Sequence, residues 1–326
     1  MKPAPEDLHY SEVLTNLSIA YRNNQAKFAC LRFAPVVPTA KQSDRYTVFS
    51  KADFLRDEAQ VWEDGKETAG VGFGISRDSY NAEAYGVHFD ITPRMRAARS
   101  YVDLRRVGMM VVTDKLLLKQ ERVWTTRMFG TGIWSGQPDQ TGVAASPGAN
   151  QFFHWSDYTN GKPKKNIKDA CTVIEEQTGL RPNTAVFQRK VWDAIIDHPD
   201  FTDRVKYTSR ESITPEMVAQ ALELSQVLVL GGSVNTAAEG QAASMSFIHG
   251  KSALLAYVNP NPEPEMPSAA YTFGWTDLVP GAPAGVIVAE LPRDPKTRVD
   301  RIDGVSAWDM KVTGADLGAF FTSCIP

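Results

Sequence analysis

Asp103-Leu-Arg-Arg-Val-Gly-Met-Met-Val-Val-Thr-Asp-Lys-Leu-Leu-Leu-Lys-Gln-Glu-Arg-Val-Trp-Thr-Thr-Arg-Met-Phe129 holds no proline and reads as one helix. A mean globular helix has about 11–12 residues, so a run of about 27 is a beam that outgrows an ordinary core. Leu104, Val107, Val111, Leu118 and Phe129 fall on one side at helical spacing, and Met110, Leu117, Trp124 and Met128 supply a second apolar stripe. A helix wet on one face needs only one stripe. Two stripes predict contacts on two sides.

The segment before the beam, Ser43 to Thr92, is strand-rich with an acidic centre. It opens with Tyr46-Thr-Val-Phe49, and Gly65, Gly70, Gly72 and Gly74 mark its tip. Tyr85, Val87, Phe89 and Ile91 alternate with Gly86, His88 and Asp90, which predicts the return limb of a two-stranded arm. An excursion of about 50 residues that joins no core of its own has its task outside the subunit. Two strands alone are only marginally stable, so the arm needs a partner surface.

Residues 1–42 read as a second arm. Ser11 to Gln25 suits a short helix, and Phe33-Ala-Pro-Val-Val-Pro38 is extended because each proline biases its predecessor away from helix. After the beam, residues 130–165 are rich in Gly, Pro and Ser and read as irregular, anchored by Phe152, Phe153 and Trp155. Helices are then expected at Asn166–Thr178, with Asn166 as N-cap and Gly179 as stop, at Lys190–Asp197 and from Thr214-Pro215. Strands are expected at Thr184–Phe187, Gln226–Leu230, Met245–Ile248, Ala253–Val258, Ala270–Trp275 and Val286–Glu290, with a returning strand Val305–Val312. The fold class is α+β.

Composition narrows the function. The chain has 326 residues, 35 basic and 38 acidic, a net charge of −3 and a hydrophobic fraction of 43%. A real core is affordable, and a dedicated nucleic-acid binder would carry a basic excess that this chain lacks. No stretch is apolar enough for a membrane span, and MKPAPEDLHY is followed by no signal-type apolar run. Cys30, Cys171 and Cys324 are odd in number and far apart, which speaks for a reducing compartment rather than a disulfide framework.

Residues that would carry catalysis are scattered. His9, His88, His154, His198 and His249 show no metal-ligand spacing, no G-x-S-x-G elbow is present, and neither metal nor cofactor is expected. Gly250-Lys251-Ser252 lacks the earlier glycine of a phosphate loop and precedes a strand, so it reads as a charged turn. Charge is more telling. Residues 51–67 carry Asp53, Asp57, Glu58, Glu63, Asp64 and Glu67 against Lys51, Arg56 and Lys66, a net of −3. Residues 94–127 carry Arg94, Arg96, Arg99, Arg105, Arg106, Lys115, Lys119, Arg122 and Arg127 against Asp103, Asp114 and Glu121, a net of +6. The acidic arm of one subunit is expected to lie over the basic beam of another, where complementary charge sets register and specificity. The other reading is two ordinary wet surfaces, or arginines that face nucleic acid through phosphate contacts.

The order of arm, acidic loop, long helix, α+β unit and returning strand resembles the major capsid proteins of tailed bacteriophages, whose fold is named after phage Hong Kong 97. The resemblance rests on Leu14-Thr-Asn-Leu-Ser-Ile-Ala-Tyr-Arg-Asn-Asn-Gln25, Trp155-Ser-Asp-Tyr158, Asp197-His-Pro-Asp200, Asp203-Arg-Val-Lys-Tyr-Thr208 and Asn235-Thr-Ala-Ala-Glu-Gly240. Leu254-Leu-Ala-Tyr-Val258, Tyr271-Thr-Phe273, Asp316-Leu-Gly318 and Phe320-Phe321 add to it. It implies an N-arm (1–42), an extended loop (43–92), a peripheral domain (93–165) with its spine helix at 103–129, an axial domain (166–296) and a return to the peripheral domain (297–326). The implied role is structural rather than enzymatic, a subunit that assembles through pentamers and hexamers into an icosahedral shell around double-stranded phage DNA. It also implies a virion location after assembly in the host cytoplasm, with packaged DNA, separate scaffolding and portal proteins, decoration proteins in some relatives, and no membrane. An encapsulin-like compartment is the alternative in the same fold, and a nucleotide-binding hydrolase using Gly250-Lys251-Ser252 is the alternative outside it.

Overall fold

The computed structural model describes residues 23–24, 28–49, 51–62, 64–65, 67–98, 103–205, 213–262, 266–293 and 295–326. The expected helix at Ser11–Gln25, the motif Leu14–Gln25 apart from Asn23 and Asn24, and the stretch after Val205 lie outside the described residues. In chain order, α1 (Cys30–Phe33) ends where Pro35 forbids continuation, and β1 (Val36–Thr39) follows as the expected extended segment. β2 (Ser43–Phe49), α2 (Lys51–Phe54), β3 (Ile75–Asn81) and β4 (Glu83–Ile91) make up the strand-rich stretch. α3 (Pro93–Ala98) leads to the beam, α4 (Leu104–Met128). Asp103 caps α4 by accepting hydrogen bonds from the Arg105 and Arg106 amides, both at 3.1 Å.

Beyond the beam lie β5 (Gln140–Val143) and β6 (Gln151–Phe153), two short strands in a stretch whose composition reads as irregular. α5 (Pro163–Thr178) starts three residues before Asn166, with Pro163 in its first turn and Lys162 at the N-cap, and stops at left-handed Gly179. β7 (Thr184–Gln188), α6 (Arg189–Ile196), α7 (Pro199–Val205), α8 (Pro215–Leu222), β8 (Gln226–Leu230), β9 (Ser233–Asn235), β10 (Met245–Phe247), β11 (Ala253–Ala256), β12 (Ala270–Trp275), β13 (Ile287–Leu291), β14 (Asp300–Val312), a 3-10 turn Ala315–Leu317 and β15 (Gly318–Thr322) complete the chain.

Two sheets organise these elements. One runs β6-β5-β15-β11-β7-β8. Its central strands β7 and β11 are buried at every position because both faces are covered. Ala185, Phe187, Ala253, Leu255, Ala319 and Phe321 face the cluster that includes residues of α5, α6 and α8. Val186, Leu254, Ala256 and Phe320 face the opposite cluster, which holds Trp124, Met128, Phe33 and Trp134. Side chains alternate across a strand, so one sheet builds two cores.

The other sheet runs β1-β12-β14-β13, with β4 also on β14. Here the structure corrects the sequence reading. The return limb that pairs with β2 is β3, in register from Ser43↔Asn81 to Phe49↔Ile75. The alternating residues Tyr85 to Ile91 instead pair antiparallel with β14, from Glu83↔Trp308 to Ile91↔Asp300. β3, Ile-Ser-Arg-Asp-Ser-Tyr-Asn, is almost wholly exposed and carries no apolar alternation to announce it. The return strand is also longer than expected, since it begins at Asp300 rather than Val305.

α4 lies across β4 and β14. Its buried positions are Leu104, Gly108, Val112, Leu116, Gln120, Glu121, Trp124 and Met128. Steps of four residues advance the face by about 40° each, so the buried stripe winds around the helix instead of following either straight stripe. Val107 and Leu118 are only partly covered, and Val111 is 39% exposed. The winding follows the partners. Leu104 packs with Ile91, Met95 and Ile302, while Trp124 and Met128 enter the core with Phe33 and Phe320. Close approach to the sheet depends on Gly304, where an added Cβ would stand 2.1 Å from Val112 Cγ1.

Candidate functional site

The arm has a firm root and an open far end. At the root, Tyr80 stacks on Phe273 with ring centroids 4.5 Å apart, and Tyr46 leans on the same ring at 5.3 Å. Asp309, 4% exposed, accepts a 3.0 Å hydrogen bond from the Asn81 amide and pairs with Arg127 near the end of α4. One carboxylate therefore ties β3, β14 and the beam together. Burial, with the Asp78 carboxylate beside it, pushes the Tyr46 phenol well up, so it stays a neutral donor to Asp78 at 2.8 Å.

At the far end, Phe49, Phe54 and Phe73 form a triangle with centroids 5.7–5.8 Å apart. They remain 38%, 62% and 57% exposed, and Val61 and Trp62 beyond them are 96% and 60% exposed. Clustered exposed apolar surface of this kind marks an interaction site. The sequence reading weighed the acids of this arm and missed its aromatics. Their signal was available as three phenylalanines, one before, one within and one after the acidic run.

The acids themselves divide. Asp53 accepts from the Gly74 amide at 2.8 Å and Glu58 meets Arg56 at 3.2 Å, so these two brace the arm internally. Asp57, Asp64 and Glu67 are exposed, and Glu63 lies outside the described residues. Lys51 reaches Asp316 of the body at 2.7 Å, so the arm also touches its own subunit.

The bases divide likewise. Arg96 bonds Asp300 at 3.0 Å and the Arg298 carbonyl at 2.8 Å, and Arg105 meets Glu290 at 3.1 Å. These two serve the chain's own packing, as Arg127 does at Asp309. Arg99 lies outside the described residues. Arg94, Arg106, Lys115, Lys119 and Arg122 are exposed, the last four on α4, where the Lys119 ammonium lies 5.5 Å from the centre of the Tyr85 ring of its own chain. Met109 and Val111 on the same helix are 41% and 39% exposed, so the beam, like the arm's far end, presents both charge and apolar surface.

Arg293 and Arg96 also set a pH limit. Arg293 donates to Asp300 at 2.7 and 3.3 Å, which holds that nearly buried carboxyl below the usual carboxylate range. A depressed folded-state pKa contributes stability above the ordinary Asp value of about 3.9, and this is lost as pH falls through the lowered one. Asp300→Asn is expected to destabilise the chain at pH 7 and to differ progressively less from wild type below about pH 4. Urea melts at pH 7, 4 and 2.5 check this. An equal gap at all three values would count against it.

Glu121 is the buried acid of the beam, 0% exposed. Its carboxylate accepts from the Ala29 amide at 3.2 Å and the Cys30 amide at 3.0 Å, at the start of α1. Nε2 of His249 lies 3.2 Å away, off the line of a good hydrogen bond. Burial and this carboxylate push the Cys30 thiol well up, which keeps it neutral. Gly250-Lys251-Ser252 follows His249 as a turn before β11. Lys251 bonds the Pro326 carbonyl rather than heading a phosphate-binding helix.

No model of a known protein family matches the sequence. The chain is 22% identical over 217 residues to the major capsid protein of Burkholderia phage BcepMu, an alignment that covers 67% of each. A phage-related protein from Bordetella bronchiseptica RB50 superposes with a TM-score of 0.68 at 20% identity, over 94% of this chain and 95% of that one. The capsid structure of cyanophage P-SCSP1u matches with a TM-score of 0.57 at 12% identity, over 98% of this chain and 94% of the other. The chain has the Hong Kong 97-like capsid fold. The resemblance to that fold implies that α4 is its spine helix and that the β2–β3 arm belongs to its extended loop. Among the described residues no helix is long and apolar enough to cross a membrane, and no cluster of metal-ligating side chains is present.

Proposed function

We propose that this chain is a major capsid protein, the subunit of an icosahedral shell around double-stranded phage DNA, acting structurally rather than as an enzyme. The observation that carries this reading is the agreement of one capsid fold over nearly the entire chain with the cyanophage capsid structure. The similarity to the BcepMu capsid protein supports it. In this reading the subunits close rings of five and six through repeated heterologous contacts. Residues 166–296 surround the ring axes and residues 93–165 with the returning strand form the periphery. Separate scaffolding and portal proteins guide assembly in the host cytoplasm, decoration proteins bind outside, and packaged DNA meets the inner face without sequence preference.

The extended loop makes the contact between subunits. Its exposed acids Asp57, Asp64 and Glu67 face the exposed Arg106, Lys115, Lys119 and Arg122 of a neighbour's spine helix, and its aromatics cover apolar surface there. Like charges brought together across an interface cost several kcal/mol. Arg106→Glu with Lys115→Glu is therefore expected to reduce closed particles about tenfold or more, with the subunit still folded. Electron microscopy of the expressed protein counts the particles. Asp57→Lys with Asp64→Lys in the same chain is expected to restore them. Wild-type particle yield from the first double variant would sink the pairing, and a soluble chain that never forms rings or shells would sink the function.

A further inference from the structure

The far end of the arm holds together as one piece. Phe49, Phe54 and Phe73 pack ring to ring, Asp53 accepts from the Gly74 amide across the two limbs, and Arg56 lies 3.6 Å from Asp53. Lys51 opens α2 in this head, and its ammonium meets the Asp316 carboxylate of the body at 2.7 Å. Leu55, one residue past α2, rests beside Gly179, where an added Cβ would stand 3.8 Å from the Leu55 Cδ2. The head thus touches its own subunit at two points.

The two sides of this contact differ in firmness. Asp316, of the motif Asp316-Leu-Gly318, sits in the 3-10 turn Ala315–Leu317. There the Ala315 carbonyl accepts from the Ser135 amide at 2.8 Å and the Leu317 carbonyl from the Tyr257 amide at 2.9 Å, while the Leu317 side chain is buried. The carboxylate is therefore carried on a fixed platform. Lys51 instead follows a two-stranded ribbon in which Tyr80, at the root, is the one buried residue. The root is held by the Tyr80–Phe273 stack and by buried Asp309. The head is held by an ion pair whose side chains are 50% and 30% exposed. A pair so exposed shifts an equilibrium by about fivefold at most and is screened by salt.

We propose that Lys51 and Asp316 form a latch, and that the arm pivots on its root between a position parked against its own subunit and one in which the head is free. Closed, the latch fixes where Phe49, Phe54, Phe73 and the exposed acids Asp57, Asp64 and Glu67 stand. Open, it yields them to another contact, since a hold this weak gives way to a modest difference in affinity between the two positions. The root survives opening because Tyr80 and Asp309 lie about 15–20 Å along the ribbon from Lys51. The inference concerns one subunit and stands apart from the shell reading.

The three native cysteines are buried, so nitroxide labels can be directed to an introduced pair, Arg77→Cys on β3 and Glu176→Cys on α5, both exposed positions. Labelled chain is mixed with an excess of unlabelled chain, which confines the measured distances to one subunit. Pulsed electron–electron double resonance is expected to show two populations, one at the latched distance and one away from it. Lys51→Glu should lower the ratio of the first to the second about fivefold, and Lys51→Glu with Asp316→Lys should restore it. Raising salt from about 0.05 to 0.5 M should lower the ratio in the otherwise unaltered chain and leave that of Lys51→Ala unchanged. Circular dichroism checks that each variant is folded. A single population throughout, a ratio indifferent to Lys51→Glu, no recovery in the double variant, or the same salt response with and without Lys51 would each overturn the latch. None of these readouts requires a particle, so failure here is distinguishable from failure of the shell reading.

Discussion

Glu121→Ala is expected to destabilise the folded chain by about 3–5 kcal/mol, the loss typical when one partner of a buried charged set is removed. The carboxylate is fully buried, accepts the Ala29 and Cys30 amides, and lies against His249. Alanine would leave both amides without their acceptor, and an unsatisfied buried donor costs about 1–3 kcal/mol. It would also open a void beneath Trp124 and Phe129, whose rings meet His249 edge-on at 5.5 and 5.6 Å. Glu121→Gln retains the size and one acceptor oxygen, so it should lose clearly less. Chemical denaturation gives the magnitudes, and hydrogen exchange gives the location. The Ala29 and Cys30 amides should lose protection in the alanine variant before the β7 and β11 amides do. Equal losses from alanine and glutamine would show that the acceptor role is not what matters.

Gly304→Val carries the second large effect. An added Cβ alone would stand 2.1 Å from Val112 Cγ1 and 3.2 Å from Leu116 Cδ1, so the spine helix must lift off the sheet. Overpacking typically costs about 1–3 kcal/mol, and valine's two further methyl groups put this site at or above the upper end. Gly86 on the neighbouring strand is the control, because its nearest neighbour to an added Cβ is the Gly304 carbonyl at 3.8 Å, an ordinary contact. Gly86→Ala should therefore change stability by no more than about 1 kcal/mol, with a gain as reasonable as a loss because glycine is entropically costly in a strand. If both variants melt alike, the close approach of helix and sheet is not what Gly304 secures.

These two sites mark different depths of legibility. The spine helix was readable because its evidence is local: no proline from Asp103 to Phe129, a capping aspartate, and strong helix formers between. Its buried face was not. Val107, Val111 and Leu118 look like a seam by spacing, yet the packed positions include Gly108, Gln120 and Glu121. Which side of a helix is covered depends on what crosses it, and here the sheet covers one end and the N-terminal segment the other. The extended loop divides in the same way. Its acids and tip glycines were visible, whereas β3 was not, because an exposed strand needs no apolar alternation. The pairing of β4 with β14 joins segments more than two hundred residues apart, and no local pattern names a partner at that distance.

By itself, then, the sequence determined the α+β class, the beam, the charge contrast between loop and spine, and the resemblance to capsid proteins. Each of these resides in composition or in short-range order. Tertiary structure alone decided that Arg96 and Arg105 are engaged within the chain, that Asp309 clamps the root of the loop, and that Glu121 is the buried hold on the N-terminal segment. A charged residue reads the same in sequence whether it meets water or a partner. Burial and geometry separate the two, and they exist only once distant segments have packed.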